Sequence, residues 1–308
     1  MKLIKKGLIY CPENLSGWRD NTFMTPAPIL KNDREIRIYG GFRDKSGVSR
    51  IGYIDVASDD PKKIIRVSEN PVLGIGADGT FDDNGVILGS VLSHTGKHWM
   101  YYVGFQLVAK AKFLAYSGLA ISKDQGDSFE RVQETPIMDR YKEEKFVRAI
   151  HSVIYDEGKF KIWYSTGRGW EYINGIPYPQ YKIMYTESVD GINIPLREGI
   201  DCIDVIEDEY RVGRPTVYKE DGIFKMFYTK DTLSKIYSPG YAESTDGINW
   251  ERKEYLFPLK PSETGWDSEM ISYPVPLKTK NNHYIFYSGN GMGRSGVGYA
   301  EIIDNKHP

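Results

Sequence analysis

The sequence predicts an all-β protein that folds as a five-bladed β-propeller with four-stranded antiparallel blades. The first observation is a repeat, because a tyrosine in a short aromatic segment recurs at intervals of 63, 62, 64 and 59 residues. Its five members are Tyr39, Tyr102, Tyr164, Tyr228 and Tyr287. The second observation is composition, since 13% of the residues are aromatic and 31 are glycine, which favours strands joined by tight turns. A fixed internal period is typical of a repeat architecture in which each repeat forms one structural unit.

The fourth repeat shows how one blade is expected to form. The segment RPTVYK reads as a first strand, and the turn at Asp221-Gly222 leads into a second strand, IFKMFYTK. A loop then reaches GYAES, and the turn at Asp246-Gly247 leads into a fourth strand, INWERK. An Asp-Gly pair between two strand-like segments is a strong hairpin signal, because both turn positions tolerate positive φ. Four antiparallel strands in a unit of about 60 residues are typical of a propeller blade.

The other repeats carry turns at matching places, which predicts a single domain over residues 1–308. The blades are expected at approximately 18–66, 82–133, 146–197, 209–254 and 267–303. The fifth repeat lacks a fourth strand at its C-terminal end. The N-terminal segment 3–10, LIKKGLIY, is expected to supply that strand and to close the ring, which would cover two sheet edges. The alternative is that this segment is an unpaired tail.

The composition excludes several classes of function. There are 40 lysines and arginines against 42 aspartates and glutamates, and the net charge of -2 gives no reason to expect a nucleic-acid partner or a membrane surface. No stretch approaches the ~20 apolar residues of a membrane span, and the N-terminus lacks a signal-peptide core, so a cytoplasmic location is expected. The two cysteines, Cys11 and Cys202, make neither a disulfide framework nor a metal cluster. We expect no cofactor and no metal site, and the sequence does not indicate an oligomeric state.

The lengths of the connections predict where a site would lie. The turns between first and second strands are short, whereas the loops between second and third strands are long and differ among repeats, as in STGRGWEYINGIPYPQYK. In a propeller these two sets of connections lie on opposite faces, and variable loops on a rigid scaffold commonly carry function. The candidate site is therefore the central mouth on the face of the long loops.

Charged and aromatic residues precede or begin the first strand of every blade, and they are the candidates for contact with a ligand. The expected substrate-binding residues are Trp18, Arg19, Asp20, Arg148, His151, Glu209, Arg211, Arg214, Trp266 and Asp267. Each has a structural alternative. The tryptophans could pack in the core instead of stacking on a sugar, the arginines could pair with carboxylates to join blades, and the histidine could be a satisfied channel residue.

The five-blade period, the turns of the form Y…ES.DG.NW and the charged residues at the first strands resemble the five-bladed propeller glycosidases. These include glycoside hydrolase families 43, 32, 68 and 130 and relatives found in polysaccharide gene clusters. The segment RIYGGFRDKSGVSRIGYIDV, followed by PVLGIGADGTFDDNGV, is especially similar to those relatives, and the resemblance spans essentially the whole chain. It implies a propeller fold and a carbohydrate-active enzyme, a glycoside hydrolase or transglycosidase that acts on a glycan.

The acidic residues that this resemblance would supply are missing. Family 43 implies an aspartate that opens the first blade, an aspartate that opens the third and a glutamate that opens the fourth. This chain has Thr25, His151 and Arg214 at those places. The signatures of family 32 are also absent at matching places, so no catalytic residue is carried over from the resemblance.

Other carboxylates near the first strands are candidates for glycosidic chemistry. Cleavage usually needs one carboxylic acid with a raised pKa and a second carboxylate as base or nucleophile. We expect Asp83 or Asp82 to be the base or nucleophile and Glu269 to be the acid, because blades two and five would place them across the mouth. The alternative for Asp82 and Asp83 is a plain turn, since Asx residues and glycine favour turns.

The arginines suggest that the carbohydrate ligand is anionic. Arg148, Arg211 and Arg214, together with His151, would suit a uronic acid, a nonulosonic acid or a sugar phosphate. A guanidinium holds a carboxylate or phosphate through two parallel hydrogen bonds. Two classes of function follow, an enzyme built on the carboxylates and a non-catalytic propeller for glycan binding or polysaccharide assembly. A glycoside phosphorylase that holds inorganic phosphate with arginine and histidine is a third alternative.

Overall fold

The computed structural model describes residues 2–13 and 17–303, and over these residues β-strands are the dominant secondary structure. The N-terminal strand, β1, spans Lys2–Tyr10. Helical structure in this part of the protein is limited to three short turns, Gly17–Arg19, Glu254–Leu256 and Asn290–Gly293. The prediction of an all-β protein is confirmed.

The other strands follow one another as antiparallel neighbours in five sets, here called units one to five. Unit one comprises β2 (Asn21–Asn32), β3 (Glu35–Arg43), β4 (Ser49–Ala57) and β5 (Ile64–Val67). Unit two comprises β6 (Val86–His94), β7 (Lys97–Gln106), β8 (Leu114–Ser122) and β9 (Glu130–Arg131). Unit three comprises β10 (Val147–Asp156), β11 (Lys159–Ile173), β12 (Ile176–Ser188) and β13 (Ile200–Ile203).

Units four and five complete the fold. Unit four comprises β14 (Glu209–Glu220), β15 (Ile223–Thr232), β16 (Ser238–Ser244) and β17 (Glu251–Arg252). Unit five comprises β18 (Ser272–Lys278), β19 (His283–Ser288) and β20 (Val297–Ile303). Short parallel contacts between β8 and β10 and between β12 and β14 link units two, three and four into one sheet.

The N-terminal strand is the fourth strand of unit five. β1 pairs antiparallel with β20, and Leu3 lies opposite Ile302. In addition, Lys5 Nζ donates to Asp267 Oδ2 at 2.7 Å and ties β1 to the segment before β18. This pairing is the one that the sequence predicts for residues 3–10, and it covers an edge of β20 that would otherwise be open.

The fourth strand of unit three lies further along the chain than the sequence predicts. This strand, β13, lies beyond residue 197, where the sequence predicts that the blade ends. The preceding segment, 189–199, is irregular and contains Pro195, which has no N–H to donate to a neighbouring strand. The ladder therefore forms only after this segment, where Ile203 lies opposite Ile183 of β12.

Apolar side chains pack between neighbouring units. Tyr39 of unit one packs with Leu88 of unit two, and Phe286 of unit five packs with Phe23 of unit one. Three further clusters join units two and three, three and four, and four and five. The five repeated tyrosines are fully buried in these layers. Burial of one large apolar side chain contributes roughly 1.5–3 kcal/mol, so the repeated aromatic strands contribute substantially to the packing between units.

The first strands of the units face a common centre. β2 contacts β6, β6 contacts β10, β10 contacts β14, β14 contacts β18, and β18 contacts β2. Hydroxyl groups connect some of them, since Ser90 Oγ accepts the Val153 N–H at 3.3 Å and Ser152 Oγ accepts the Val217 N–H at 2.9 Å. Side chains that leave these strands on their inner side therefore meet at the centre.

Candidate functional site

Each of the five first strands has a bulge at the same relative position. In β2 the pairing with β3 passes from Met24 directly to Ala27, and corresponding shifts interrupt β6, β10, β14 and β18. The first residues left out of the pairing are Thr25, Gly89, His151, Arg214 and Tyr273. A bulge re-aims the side chain that it carries, so this repeated feature directs four side chains towards the centre.

Three of the bulge residues have a strained backbone. Thr25, Arg214 and Tyr273 have φ values of 55°, 56° and 57°, and each precedes a proline. A residue other than glycine in this region costs of order 1–3 kcal/mol and persists only where its surroundings determine it. Hydroxyl groups of the adjacent unit accept these three backbone N–H groups at 3.1–3.2 Å, and they belong to Ser288, Ser165 and Thr229 respectively.

Three of the bulge residues, Thr25, Arg214 and Tyr273, line a cavity of about 400 Å³, here called the central cavity. Its polar and aromatic lining includes Thr25, Arg43, Phe105, Lys112, Phe113, Tyr178, Tyr181, Arg211, Arg214, Tyr237 and Tyr273. A smaller cavity of about 150 Å³, also lined by Arg214 and Tyr273, contains His151. No aspartate or glutamate of the described residues lines either cavity. The volume of the central cavity lies in the range of about 300–1,000 Å³ that is usual for small-molecule sites.

Arg214 carries a partly buried positive charge without a carboxylate partner among the described residues. Its Nη1 lies 2.9 Å from His151 Nδ1, and its guanidinium carbon lies 5.4 Å from the centroid of the Tyr273 ring. Burial lowers the pKa of Arg214 to about 10. Burial, together with the charge of Arg214, holds the pKa of His151 well below its usual value. The imidazole is therefore neutral at ordinary pH, and its Nδ1 accepts a hydrogen bond from Arg214.

Arg211 is also at the central cavity, but it has a counterion. Its Nη2 lies 2.7 Å from Asp231 Oδ2, and this fully buried carboxylate also accepts from Lys235 Nζ at 2.5 Å and from the Tyr210 hydroxyl. Burial opposes the charge on Arg211, yet its surroundings, Tyr237 foremost, raise its pKa above the usual value. Because two cations share one carboxylate, this cluster keeps one net positive charge.

Two further cations at the cavity are absent from the predicted site. Arg43 ends β3, and burial, with Arg294 adding to it, lowers its pKa. Lys112 lies at the rim, where its Nζ donates to the Pro177 carbonyl at 3.2 Å. Arg43 stands where an aromatic strand opens into a long loop, and that position is the signal that could have identified it.

The three predicted catalytic carboxylates lie elsewhere. Asp82 is fully buried and accepts from Arg131 Nε at 2.8 Å. Asp83 accepts the Gly79 N–H at 3.0 Å, which is the turn role considered as its alternative. Glu269 is exposed, and it is absent from the lining of both cavities. The structure does not bring these carboxylates together at the central cavity.

Three other residues that were predicted to bind substrate form ion pairs within the protein. Arg148 is buried with its Nε 2.5 Å from Glu144 Oε2. Glu209 accepts from Arg252 Nη2 at 2.7 Å, and Asp267 accepts from the N-terminal strand. These contacts connect segments of the scaffold. Of the predicted binding residues, the structure brings His151, Arg211 and Arg214 to the centre.

The two predicted tryptophans pack against aromatic rings of the core. The Trp18 ring lies edge-on to Phe42 with centroids 5.2 Å apart, and the Trp266 ring stacks on Tyr287 at 5.1 Å. Neither tryptophan lines the central cavity. Both therefore have the packing role that was considered as the alternative to sugar stacking.

The neighbours of Trp18 have local roles as well. Arg19 Nη1 donates to the Ser68 carbonyl at 2.7 Å, which holds the segment before β2 against unit one. Asp20 is buried and accepts from Asn21 Nδ2 at 3.1 Å. Neither residue is among those that line the central cavity.

Over residues 2–13 and 17–303, no group of three histidine, cysteine, aspartate or glutamate side chains is arranged to hold a metal ion. Within the same residues, no helix has the length and apolar character needed to span a bilayer.

The chain is similar along nearly its whole length to two proteins of Mycobacterium tuberculosis. These are Uncharacterized protein MT1551 of strain CDC 1551 / Oshkosh and Uncharacterized protein Rv1502 of strain ATCC 25618 / H37Rv. Each is 30% identical over 303 residues, which is 98% of this chain and 99% of the relative. No protein-family model matches the sequence.

Solved structures of glycoside hydrolases have a similar fold. A thermostable family-43 glycoside hydrolase has a TM-score of 0.63 at 17% identity, with 96% of this chain and 95% of that protein covered. A glycosyl hydrolase from Bacteroides ovatus has a TM-score of 0.63 at 19% identity, with 99% and 91% covered. The complex of BT0996 with RGII has a TM-score of 0.71 at 18% identity, with 97% and 91% covered. The resemblance to the propeller glycosidases is thus confirmed at the level of the fold, and this protein belongs to the family of MT1551 and Rv1502.

Proposed function

We propose that this protein is a five-bladed β-propeller whose central cavity recognises an acidic carbohydrate. The cyclic packing of five four-stranded units around their first strands supports the propeller. The observation that carries the function is the lining of the central cavity, which contains three arginines and a lysine and no acidic side chain of the described residues. A guanidinium group recognises a carboxylate or phosphate through paired hydrogen bonds.

The rest of the lining suits a sugar. Tyr178, Tyr181, Tyr237 and Tyr273 offer ring faces for the apolar side of a pyranose, and their hydroxyl groups can exchange hydrogen bonds with it. The fold shared with glycoside hydrolases supports the same class of ligand, and BT0996 is known in a complex with RGII. Fold alone does not establish function, so the side chains of the cavity carry the argument.

Binding is favoured over hydrolysis by the positions of the carboxylates. A carboxylate-based glycosidase needs two carboxyl groups that flank the scissile bond. No carboxylate of the described residues lines the central cavity, and Asp231, which pairs with the cavity residue Arg211, is also shared with Lys235. The geometry therefore favours the glycan-binding alternative, and hydrolysis by Asp83 and Glu269 is the second candidate.

A binding experiment tests the first proposal. Calorimetric titration would compare glucuronic acid, N-acetylneuraminic acid and glucose phosphates with neutral glucose and galactose. We expect one or more acidic sugars to bind and the neutral sugars not to bind. Arg214→Met should weaken that binding by at least about tenfold, equivalent to about 1.4 kcal/mol. The exposed Arg34, which lies in the β2–β3 turn, provides the matched control Arg34→Met. Equal binding by the Arg214 variant and the unaltered protein would refute the proposal.

A separate assay tests the second candidate. Aryl glycosides and acidic oligosaccharides would be incubated with the protein and with Asp83→Asn and Glu269→Gln. Turnover that disappears in both variants would establish the carboxylate mechanism. Turnover that survives both substitutions would exclude these residues as the catalytic pair.

A further inference from the structure

The charges at the central cavity specify the ligand more closely than an acidic carbohydrate. Resting on the proposed function, we infer that the acidic group of the ligand is a phosphate dianion, so that the ligand is a phosphorylated carbohydrate and not a uronic acid. Several positive charges at the central cavity lack a counterion, and several hydrogen-bond donors there lack an acceptor.

The positive charges at the central cavity outnumber the carboxylates that could neutralise them. Arg43 and Arg214 both line the central cavity, and neither makes an ion pair within residues 2–13 and 17–303. The pair Arg211 and Lys235 shares the single carboxylate of Asp231, which leaves a third positive charge. Lys112 also lines the cavity and makes no ion pair within the described residues, so it adds a fourth. A ligand with one negative charge would leave at least one of these partly buried guanidinium groups without a counterion, which is unfavourable where little water reaches the charge.

A phosphate monoester matches this count better than a carboxylate. It carries a charge of about -1.5 to -2 at pH 7 and has three strong acceptor oxygens. Two guanidinium groups can each present a fork of N–H donors to such a group. Because Arg43 and Arg214 belong to different units, they can approach a tetrahedral phosphate from different directions.

Unused hydrogen-bond donors at the cavity support the same conclusion. Thr25 Oγ1 is buried and has no hydrogen-bond partner among the described residues. The hydroxyl oxygens of Tyr237 and Tyr273 lie 3.3 Å apart, and since one O–H is enough for that contact, the other is free to donate to a ligand.

The apolar part of the wall indicates that the phosphate is attached to a larger group. Ile87, Phe105, Phe113 and Met292 line the same cavity of about 400 Å³. Free phosphate would leave this surface without a partner. A sugar would cover part of it while its hydroxyl groups reach the surrounding tyrosines.

The experiment separates the acidic group from the sugar. Methyl phosphate and acetate serve as probes of the acidic group, and glucose 1-phosphate, glucose 6-phosphate and glucuronic acid serve as probes of the whole ligand. Thermal denaturation at constant ionic strength would measure the stabilisation by each probe at about pH 7.5 and at about pH 5, on either side of the second phosphate pKa near 6. We expect methyl phosphate to bind at least about tenfold more tightly than acetate at the higher pH.

The pH dependence distinguishes the two kinds of acid. A phosphate ester loses its second charge as the pH falls below about 6, whereas a uronic acid stays ionised to below about pH 4. The affinity for glucose phosphates should therefore fall by several-fold at the lower pH, and any affinity for glucuronic acid should not. The charged and titratable groups that line the central cavity are Arg43, Lys112, Tyr178, Tyr181, Arg211, Arg214, Tyr237 and Tyr273. Those in contact with its arginines are His151, Asp231 and, through Asp231, Lys235.

Two substitutions assign the preference to the unpaired arginines. Arg43→Met and Arg214→Met should each abolish the advantage of methyl phosphate over acetate, while Arg34→Met should keep it. If Arg214→Met does not fold, Arg214→Lys tests the same point, because lysine keeps the positive charge but lacks the paired N–H donors of the guanidinium group. Binding of glucuronic acid as tight as that of glucose phosphates would overturn this inference and leave the proposed function standing. Failure of every acidic sugar to bind would overturn both, and methyl phosphate binding as tightly as the glucose phosphates would exclude the sugar.

Discussion

Arg214 Nη1 lies 2.9 Å from His151 Nδ1, and both residues leave bulges of adjacent first strands. Burial lowers the pKa of both side chains, and the charge of Arg214 lowers that of His151 further. The pair is therefore a cation beside a neutral imidazole over the physiological range. Such a pair is suited to hold an anion, because the guanidinium keeps most of its donors free.

The first prediction concerns the pH dependence of stability. In the unfolded state His151 has its ordinary pKa of about 6.5, whereas in the folded protein burial and Arg214 hold its pKa well below that value. Between the two values the unfolded state binds more protons. Stability should therefore fall as the pH drops below about 6.5, by up to about 1.4 kcal/mol per pH unit from this residue, and should be insensitive to it above that pH.

Urea denaturation at about pH 7.5, 6 and 5 would measure this effect in the unaltered protein and in His151→Gln. The glutamine variant cannot gain the proton, so its stability should fall less on acidification. Identical slopes in the two proteins would show that His151 does not carry this pH dependence.

The sequence predicts the fold more completely than it predicts the residues of the site. The repeated tyrosines and the Asp-Gly turns are local patterns, and both the all-β class and the pairing of β1 with β20 follow from them. Strand order within units one to four is also local, because each strand there pairs with the next strand in the sequence. The irregular segment around Pro195 moved one strand, since a single residue without an N–H can delay the start of a ladder.

The site depended on contacts between distant residues. Asp82 is neutralised by Arg131 and Asp267 by Lys5, and neither partner is adjacent in the sequence. A carboxylate at the start of a strand therefore looks the same whether it is catalytic or paired. Arg214 could be predicted because it occupies the bulge position of a repeat, and position within the repeat is a property of the sequence.

The second prediction concerns the joint between units one and two. Arg37 is fully buried, donates to Asp55 at 2.7 and 2.9 Å, and donates to Asp127 of the unit-two turn at 2.7 Å. Arg37→Met should destabilise the protein by about 3 kcal/mol, the lower end of the usual cost for breaking a buried pair, because Lys31 and Arg66 still reach Asp55.

Urea denaturation would measure the loss. Arg140→Met is the matched control, because Arg140 is exposed and pairs at 3.4 Å with the adjacent Asp139. An exposed pair contributes at most about 1 kcal/mol, so the control should differ little from the unaltered protein. If Arg37→Met lost no more stability than the control, this buried ion pair would not stabilise the contact between units one and two.

The third prediction concerns the glycines that face the repeated tyrosines. A Cβ at Gly240 would lie 2.2 Å from Cε2 of Tyr228, which is opposite it in the β15–β16 ladder. Gly240→Ala should therefore force the ring out of its place and cost about 1–3 kcal/mol through overpacking. Gly74→Ala is the control, because no atom lies within 4 Å of its Cβ position. If the two variants were equally stable, the Tyr228 ring would be able to move aside at no cost, and the prediction of overpacking would be wrong.

The fourth prediction concerns the attachment of the N-terminal strand. Lys5 Nζ donates to Asp267 Oδ2 at 2.7 Å and to Ser262 Oγ at 2.9 Å, and the carboxylate also accepts from the Tyr287 hydroxyl at 3.0 Å. Lys5→Met would leave a buried carboxylate with a neutral donor in place of a cation. It should destabilise the protein by about 1–3 kcal/mol, and the loss should be concentrated in β1 and β20 because they share the ladder.

Hydrogen exchange of backbone amides would locate the change. Amides of β1 and β20 should exchange faster in Lys5→Met, whereas those of units two and three should be unaffected at low denaturant. Lys6→Met is the control, since Lys6 is on the same strand and its partially exposed partner is Glu301, 2.7 Å away. Faster exchange spread evenly over all five units would mean that β1 unfolds only with the whole protein, so that the strand is an integral part of unit five and not a separately released edge.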